Sequence, residues 1–447
     1  MSVAELITLS NMELTRFFFA IVLLLVSAHW FGYLFQRFKM PRVIGEIFGG
    51  LILGPTLLGF FAPEVYNWIF NAFEGEGKLI SMIYWIGLVL LMFISGFEIQ
   101  KSFSKGDKKT IFAILIGATI IPFLAGWIAP NFYDFSPFLG PAGNMTALKI
   151  VIALAVAVTS IPVISKIFID LKIINTRFAK VILATATIQD VILWIALAIA
   201  TGLVSAEKVS AYSITSTVLI TLAFFGVALF VMPKLIRFSN NLRANLLIKS
   251  SVTGYALFIC FFFAAIASVL NVNIVFGAFL AGIILGTMPN DKFGNVKTHI
   301  KEISLGLFIP IYFAVVGLKL DLIHNLDITF TLGFLLFTTI FESVGVLIAS
   351  RIIKKDWLSS FNLAMAMNTR GGPGIVLATV AFDMGIINET FFVTLVLIAI
   401  ITSLMAGYWF KFILGKGWSL LKEENSEKID VSNSENINKT DDYQKHI

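Results

Sequence analysis

The sequence predicts an all-α polytopic membrane protein of about thirteen transmembrane helices, built as inverted repeats with two broken helices. Three observations carry that expectation. Hydrophobic residues make up 58% of the 447 and charged residues only 13%, which cannot be folded around one water-soluble core. Runs of about 20 apolar residues recur along the chain, separated by loops whose Lys and Arg fall on alternate sides. Segments seven spans apart also resemble each other, and two of them are interrupted at matching places.

The candidate spans begin near Phe17, Val43, Leu79, Thr110, Ala147, Phe178, Tyr212, Leu246, Asn273, Ile303, Ile328, Phe361 and Thr390. The first follows Glu5 and Glu13, with Arg16 its only basic residue, so it reads as a retained helix and not a cleaved signal peptide. One set of loops collects Arg37, Lys39 and Arg42; Lys101, Lys105, Lys108 and Lys109; Lys166, Lys172, Arg177 and Lys180; Lys234, Arg237, Arg243 and Lys249; Lys292, Lys297 and Lys301; and Arg351, Lys354 and Lys355. The other set holds little beyond Arg16, Lys78, Lys149, Lys208 and Lys319, beside Glu74, Glu76 and Asp134. Basic loops stay cytoplasmic. The expected orientation in a cell (inner) membrane therefore has the N-terminus outside, the C-terminus inside and an odd number of spans.

The net charge of +6 is absorbed by these loops, and nucleic acid is not implied. The single Cys260 cannot form an internal disulfide and reads as a small core residue. From Lys422 to Ile447 the chain is rich in Glu, Asn, Ser, Lys and Asp, too polar to bury a core. The expected division is a transmembrane domain over 1–417 and a disordered cytoplasmic tail over 418–447. No glycine-rich nucleotide motif appears, so ATP-driven transport is not supported, and no cofactor is implied.

The repeat is legible in spans two and nine, where Val43–Gly54 reads VIGEIFGGLILG and Val275–Gly286 reads VFGAFLAGIILG. An odd offset makes the copies cross in opposite directions, the signature of inverted repeats in secondary transporters. Glycine-rich packing faces look alike in many bundles, so further pairs matter. Span three ends GFEIQ (Gly96–Gln100) and span ten GLKLD (Gly317–Asp321). Span five is interrupted by TSIP (Thr159–Pro162), and span twelve by NTRGGPG (Asn368–Gly374). Pro removes a backbone donor and Gly weakens a helix, and lipid cannot satisfy the freed groups. A proline kink explains Pro162 alone equally well. It explains Gly371, Gly372, Pro373 and Gly374 beside Arg370 less well.

Asp190, directly after Gln189, lies inside the apolar run of span six. An ionisable residue there is costly and marks a functional site by default. Counted from the cytoplasmic ends of their spans, Asp190, Glu342 and Arg370 lie about 13 to 18 Å deep. Arg370 is in reach of either carboxylate, where it would bridge to Glu342 or neutralise the carbonyl ends of the half-helices. Glu46 is shallower, Glu98 reaches the interface, and His29 reads as a packed or interfacial residue. A desolvated carboxylate can hold a proton or a cation, so the two compete for one site. Gln189 offers a carbonyl oxygen, Thr159 and Ser160 offer hydroxyls, and the broken backbones offer carbonyls. Oxygen ligands of this kind suit an alkali cation and not a transition metal.

Together PRVIGEIFGGLILGP, GAFLAG, TSIPV, TATIQD and NTRGGPG resemble the second cation:proton antiporter family, over essentially Thr15 to Leu414. The resemblance implies a homodimeric transporter, not an enzyme, that exchanges Na+ or K+ for H+ by alternating access. It also implies a dimer-forming scaffold and a mobile core in which two unwound helices cross beside an essential aspartate. Matched by motif, that aspartate is Asp190, with Gln189 at the preceding pair position and breaks at Thr159–Pro162 and Arg370–Gly374. Electrogenic members carry a second acid where this chain has Gln189, and a lysine inside the span equivalent to Ile303–Leu318. This chain has none until Lys319, so exchange is expected to be electroneutral. The Gln-Asp pair is similar to the potassium efflux branch, whose C-terminal nucleotide-binding domain has no counterpart in 418–447. The alternative reading is a gated potassium efflux channel without proton coupling.

Overall fold

The structure is a computed structural model that describes residues 9–38, 40–98, 107–204, 211–241, 246–288 and 290–422. Lys39, Ile99, Gln100, Lys101, Lys105, Lys208, Arg243 and the tail from 423 onward lie outside the described residues, as do the side chains of Glu98, Arg237 and Lys292.

Helix α1 (Asn11–Arg37) opens on a capping box. The Ser10 hydroxyl accepts from the Glu13 N–H at 3.3 Å, and Glu13 accepts from the Ser10 N–H at 2.7 Å, satisfying donors that the first helical turn leaves free. α2 (Arg42–Leu53), α3 (Glu76–Glu98) and α4 (Lys108–Ile128) follow. The fifth span is two half-helices, α5 (Met145–Ala157) and α6 (Ile161–Asp170). Span six is α7 (Arg177–Val204), and span seven begins with α8 (Ala211–Gly226). α9 (Val252–Val269), α10 (Ile274–Gly286), α11 (Ile309–Leu318) and α12 (Ile328–Ile352) supply spans eight to eleven. Span twelve is again split, into α13 (Trp357–Met367) and α14 (Gly371–Asp383), and α15 (Glu389–Gly415) is last.

Eleven helices among the described residues are long and apolar enough to cross a membrane. Two of the thirteen predicted positions fall short of that length. The ninth is α10, an apolar helix of 13 residues, and the twelfth is divided by its break. Both are buried almost throughout, so a short helix here is surrounded by protein and need not match the bilayer alone.

Contacts sort the helices into two bundles. α1, α2, α3, α9, α10 and α11 pack with one another, while α4 to α7 and α12 to α15 form the second, with α8 resting on α7. Lipid is as apolar as the side chains, so helices associate in a membrane through close fit, which small residues permit. At Gly317 of α11 an added Cβ would fall on the Ile47 carbonyl and 2.8 Å from the Leu51 nitrogen of α2. Gly50 of α2 meets Ala314 of α11 in the same way. Gly317→Ala is therefore expected to cost about 1–3 kcal/mol by overpacking, read as a lower thermal unfolding midpoint in detergent. Gly333→Ala, where an added Cβ meets nothing within 4 Å, should melt at or slightly above the parent, since alanine favours a helix interior.

The packed body runs past residue 417. Leu420 and Leu421 are buried, the Leu420 carbonyl accepts from Asn362 Nδ2 at 3.2 Å, and the Lys422 N–H donates to Ser359 Oγ at 3.2 Å.

Candidate ion-binding site

The break in span five follows from Pro162. A proline has no N–H and collides with the carbonyl four residues earlier, so α5 stops at Ala157 and Val158 and Ser160 take extended backbone. The Ser160 hydroxyl then accepts from the Val163 N–H at 3.4 Å and restarts the chain as α6. The break in span twelve turns at Gly371, whose φ of +37° favours glycine. A side chain there would also sit 2.6 Å from Ser160 Oγ. The two breaks touch, and the Ser160 N–H donates to the Thr369 carbonyl at 2.5 Å.

Both α5 and α13 end at this crossing, each presenting partial negative charge on its free carbonyls. Arg370 answers both ends. Its Nε donates to the Ala155 carbonyl at 3.1 Å and its Nη2 to the Val156 carbonyl at 3.3 Å. Nη1 donates to the Asn368 side-chain oxygen at 2.5 Å. Its full charge is matched by Glu342 of α12, with Nη2 to Oε2 at 2.7 Å and both side chains buried. Thr159 joins this network, its hydroxyl 2.7 Å from the Met367 carbonyl and 3.3 Å from Glu342 Oε1. A hydroxyl carries one proton, so that of Thr159 is committed to the ion-pair side of the crossing.

Gln189 ties span six to the break from the other side. Its Nε2 donates to the Ala157 carbonyl at 2.6 Å and to the Ala118 carbonyl of α4 at 2.8 Å. Two carbonyl neighbours demand two donors, which an amide has and an ionised acid lacks. The Gln189 Oε1 is buried without a hydrogen-bond partner among the described residues.

Asp190 is 2% exposed and faces a cavity of about 10 Å³ shared with Leu154, Val158, Trp194, Leu197, Pro373 and Leu377. Val158 comes from one break and Pro373 from the other, so the carboxylate looks onto the crossing. No hydrogen bond or ion pair reaches it among the described residues. The space is about that of one water, and the Asp190 side chain is almost wholly buried beside it. The remaining polar group on the cavity wall is the indole of Trp194, whose Nε1 is buried and unpartnered.

The structure thus gathers Thr159, Ser160, Gln189, Glu342, Arg370 and the first turn of α14 (Gly371–Gly374) about one crossing, with Asp190 facing it. The chain is non-helical at Asn368–Arg370, just before the predicted break residues Gly371–Gly374. Glu46 lies apart, paired with Arg42 at 2.7 Å. Arg42 also donates to His29 Nδ1 at 2.7 Å, and His29 Nε2 meets the Gly306 carbonyl at 2.9 Å. Cys260 is buried in α9. Trp194 and Asn368 were missed by sequence reasoning. Trp194 had a signal, since it stands four residues after Asp190 on the same helical face. Asn368 had little, because its role depends on where Arg370 reaches.

The chain is similar to known proteins over most of its length. Residues 21–416 match the family model for the sodium/hydrogen exchanger, transmembrane. The K(+)/H(+) antiporter 1 of Saccharomyces cerevisiae is 30% identical over 410 residues, 88% of this chain and 46% of that protein. The Na(+)/H(+)-K(+) antiporter GerN of Bacillus cereus is 26% identical over 406 residues, 90% of this chain and 97% of its own length. Cation/H(+) antiporter 18 of Arabidopsis thaliana is 27% identical over 395 residues, 86% of this chain and 47% of that protein. The chain spans about half the length of the yeast and plant relatives. Among solved structures, the sodium proton antiporter MjNhaP1 of Methanocaldococcus jannaschii superposes with a TM-score of 0.62 at 16% identity, covering 90% of this chain and 98% of that one, a likeness of fold. With a family model matched over most of its length, the chain belongs to the sodium/hydrogen exchanger family.

Proposed function

We propose that the protein exchanges a monovalent alkali cation, Na+ or K+, for H+ by alternating access, with Asp190 as the carboxylate the two ions share. The observation that carries this reading is the contrast between two buried acids. Glu342 has a guanidinium partner and a hydroxyl. Asp190 has neither, and it faces a space between two broken helices. A carboxylate with no countercharge of its own must be neutralised by something that comes and goes, and a proton and a cation are the candidates. The Gln189 Oε1, the Ser160 hydroxyl and the backbone carbonyl of Thr159, all at the crossing, are the oxygens that would complete a cation's shell. Arg370 and Glu342 compensate charge within the framework. A continuous ion pore would need a polar lining, and the apolar wall around Asp190 argues for exchange instead.

The inverted repeat is supported by how the helices pair. Gly50 and Gly317 join spans two and ten, while Gly96 and Gly282 join spans three and nine, the exchange of partners that an offset of seven spans requires. A homodimer is part of the proposal, with the exposed stripe of Phe18, Val22, Val26 and Trp30 on α1 as an apolar face for a second copy. The N-terminus is placed outside and the C-terminus in the cytoplasm, on the alternation of basic loops.

The test is proton flux driven by an imposed cation gradient, read with a pH-sensitive dye in proteoliposomes. Flux with Na+ or K+ supports exchange, and its absence with every alkali cation would refute it. One carboxylate per cycle also predicts a one-for-one, electroneutral exchange. With sodium as the test ion, the initial rate should not change under a potassium/valinomycin diffusion potential. A rate that scales with the imposed voltage would show that a second charge moves.

A further inference from the structure

Beyond the crossing, α14 continues away from the Lys- and Arg-rich loops and ends at Asp383. Its first turns line the Asp190 cavity through Pro373 and Leu377. Two residues on, Thr379 Oγ1 lies 3.0 Å from the Tyr312 hydroxyl of α11. Asp383, about 9 Å further along the helix axis than Leu377, is held from two sides. Its Oδ1 accepts from Lys319 Nζ at 2.6 Å, just past the end of α11, and its Oδ2 accepts from the Tyr84 hydroxyl of α3 at 2.5 Å. The Lys319 ammonium also lies 4.1 Å from the centroid of the Tyr84 ring, a favourable cation–π position. Tyr84 in turn packs on Tyr312 at 5.2 Å between centroids.

These contacts join the two bundles, since α3 and α11 belong to one and α14 to the other. Along α14, Asp383 stands between residues that line two cavities, Leu377 at the small one and Met384 at a second. The second has a volume of about 170 Å³ and is lined by Trp85, Thr201, Asn271, Asn273 and Met384 among others. Along α7 the wall passes from Leu197 at the small cavity to Thr201 at the large one. Along α14 it passes from Leu377 to Met384, immediately after Asp383. The polar wall and room for several waters suit a hydrated cation. The stretch between the cavities is the stretch that Tyr84 and Lys319 clamp through Asp383.

We propose that Tyr84, Lys319 and Asp383 form a latch that closes the path from this polar cavity to Asp190, and that its release opens the site on the side opposite the basic loops. The three act as positioning residues, touching no transported ion in the closed form. The Lys319–Asp383 pair keeps side-chain exposures of 26% and 12%, so neither charge is wholly buried and parting them does not strand a fully buried charge. Lys319 thus gains a role at the end of its span that an interior lysine could not have. The proposal rests on the exchange reading, but the two fail separately, because latch closure is measured without any transported ion.

The test places a reporter thiol at Leu197, 3% exposed and on the wall of the Asp190 cavity, by Leu197→Cys in the full chain in nanodiscs. A membrane-impermeant thiol reagent is applied, and labelling is quantified by peptide mass at position 197 and at the native Cys260, which is fully buried in the other bundle. Lys319→Gln is expected to raise labelling at 197 roughly tenfold by shifting the population toward the open form. Tyr84→Phe should raise it less, and the exchanged pair Lys319→Asp with Asp383→Lys should return it toward the closed rate. Cys260 should stay protected throughout, since a loss of structure in general would expose both thiols. The latch is overturned if labelling at 197 is unchanged in Lys319→Gln and Tyr84→Phe, or if it rises only together with labelling of Cys260.

Discussion

Asp190→Asn should reduce cation-driven proton flux to that of protein-free liposomes while leaving the protein folded. An amide of nearly the same shape fills the same space, but it neither releases a proton nor offsets a cation's charge. The unfolding midpoint should be unchanged or raised. The native carboxylate has no hydrogen-bond partner to lose among the described residues, and burying it without one is itself costly. Asp190→Glu sharpens the test, because it keeps the charge and adds one methylene to a cavity of about 10 Å³. Overpacking of that kind costs about 1–3 kcal/mol, so this variant should retain a small fraction of the flux at reduced stability. Wild-type flux from purified Asp190→Asn would remove the residue from its assigned place and move the search to Glu342 or Glu46.

Asp190 was legible as a candidate because a single acid in an apolar run contradicts its surroundings, and that contradiction needs no tertiary information. The breaks were legible for a related reason: TSIP and NTRGGPG place helix-stopping residues where a span should continue. What could not be read was the pairing of groups far apart in the chain. Gln189 was expected to offer a carbonyl oxygen, and what could not be foreseen is that its amide nitrogen also ties Ala118 and Ala157 together. Thr159 was expected as a hydroxyl ligand, and its hydroxyl turns to Glu342 and Met367. Lys319 could be placed at the outer end of its span from hydropathy, but Asp383, 64 residues on, gave no sign that it was its partner. Helix length was the other blind spot. A short buried helix such as α10 is as apolar as a long lipid-facing one, so composition alone does not separate them.

Arg370→Ala should lose stability and activity together. The substitution strands Glu342 as a buried acid without its guanidinium and leaves the Ala155, Val156 and Asn368 carbonyls without their donor. Breaking a buried ion pair from one side costs about 3–5 kcal/mol, enough to lower the unfolding midpoint by many degrees. Arg370→Lys should recover part of both losses, because an ammonium restores the charge but cannot reach α5, α13 and Glu342 at once with the planar fork of a guanidinium. The double variant Arg370→Met with Glu342→Met separates two causes. If the uncompensated acid dominates, removing both charges should recover much of the stability. If the half-helix ends dominate, the double variant should remain unstable, because the freed carbonyls still lack a positive partner. The measurements are thermal unfolding in detergent and initial exchange rate in proteoliposomes on the same preparations. Should Arg370→Ala melt like the parent and change only the apparent cation affinity, Arg370 belongs to the ion site. A guanidinium would then act on the transported cation by repulsion at a distance, and the framework role would pass to the backbone contact between Ser160 and Thr369.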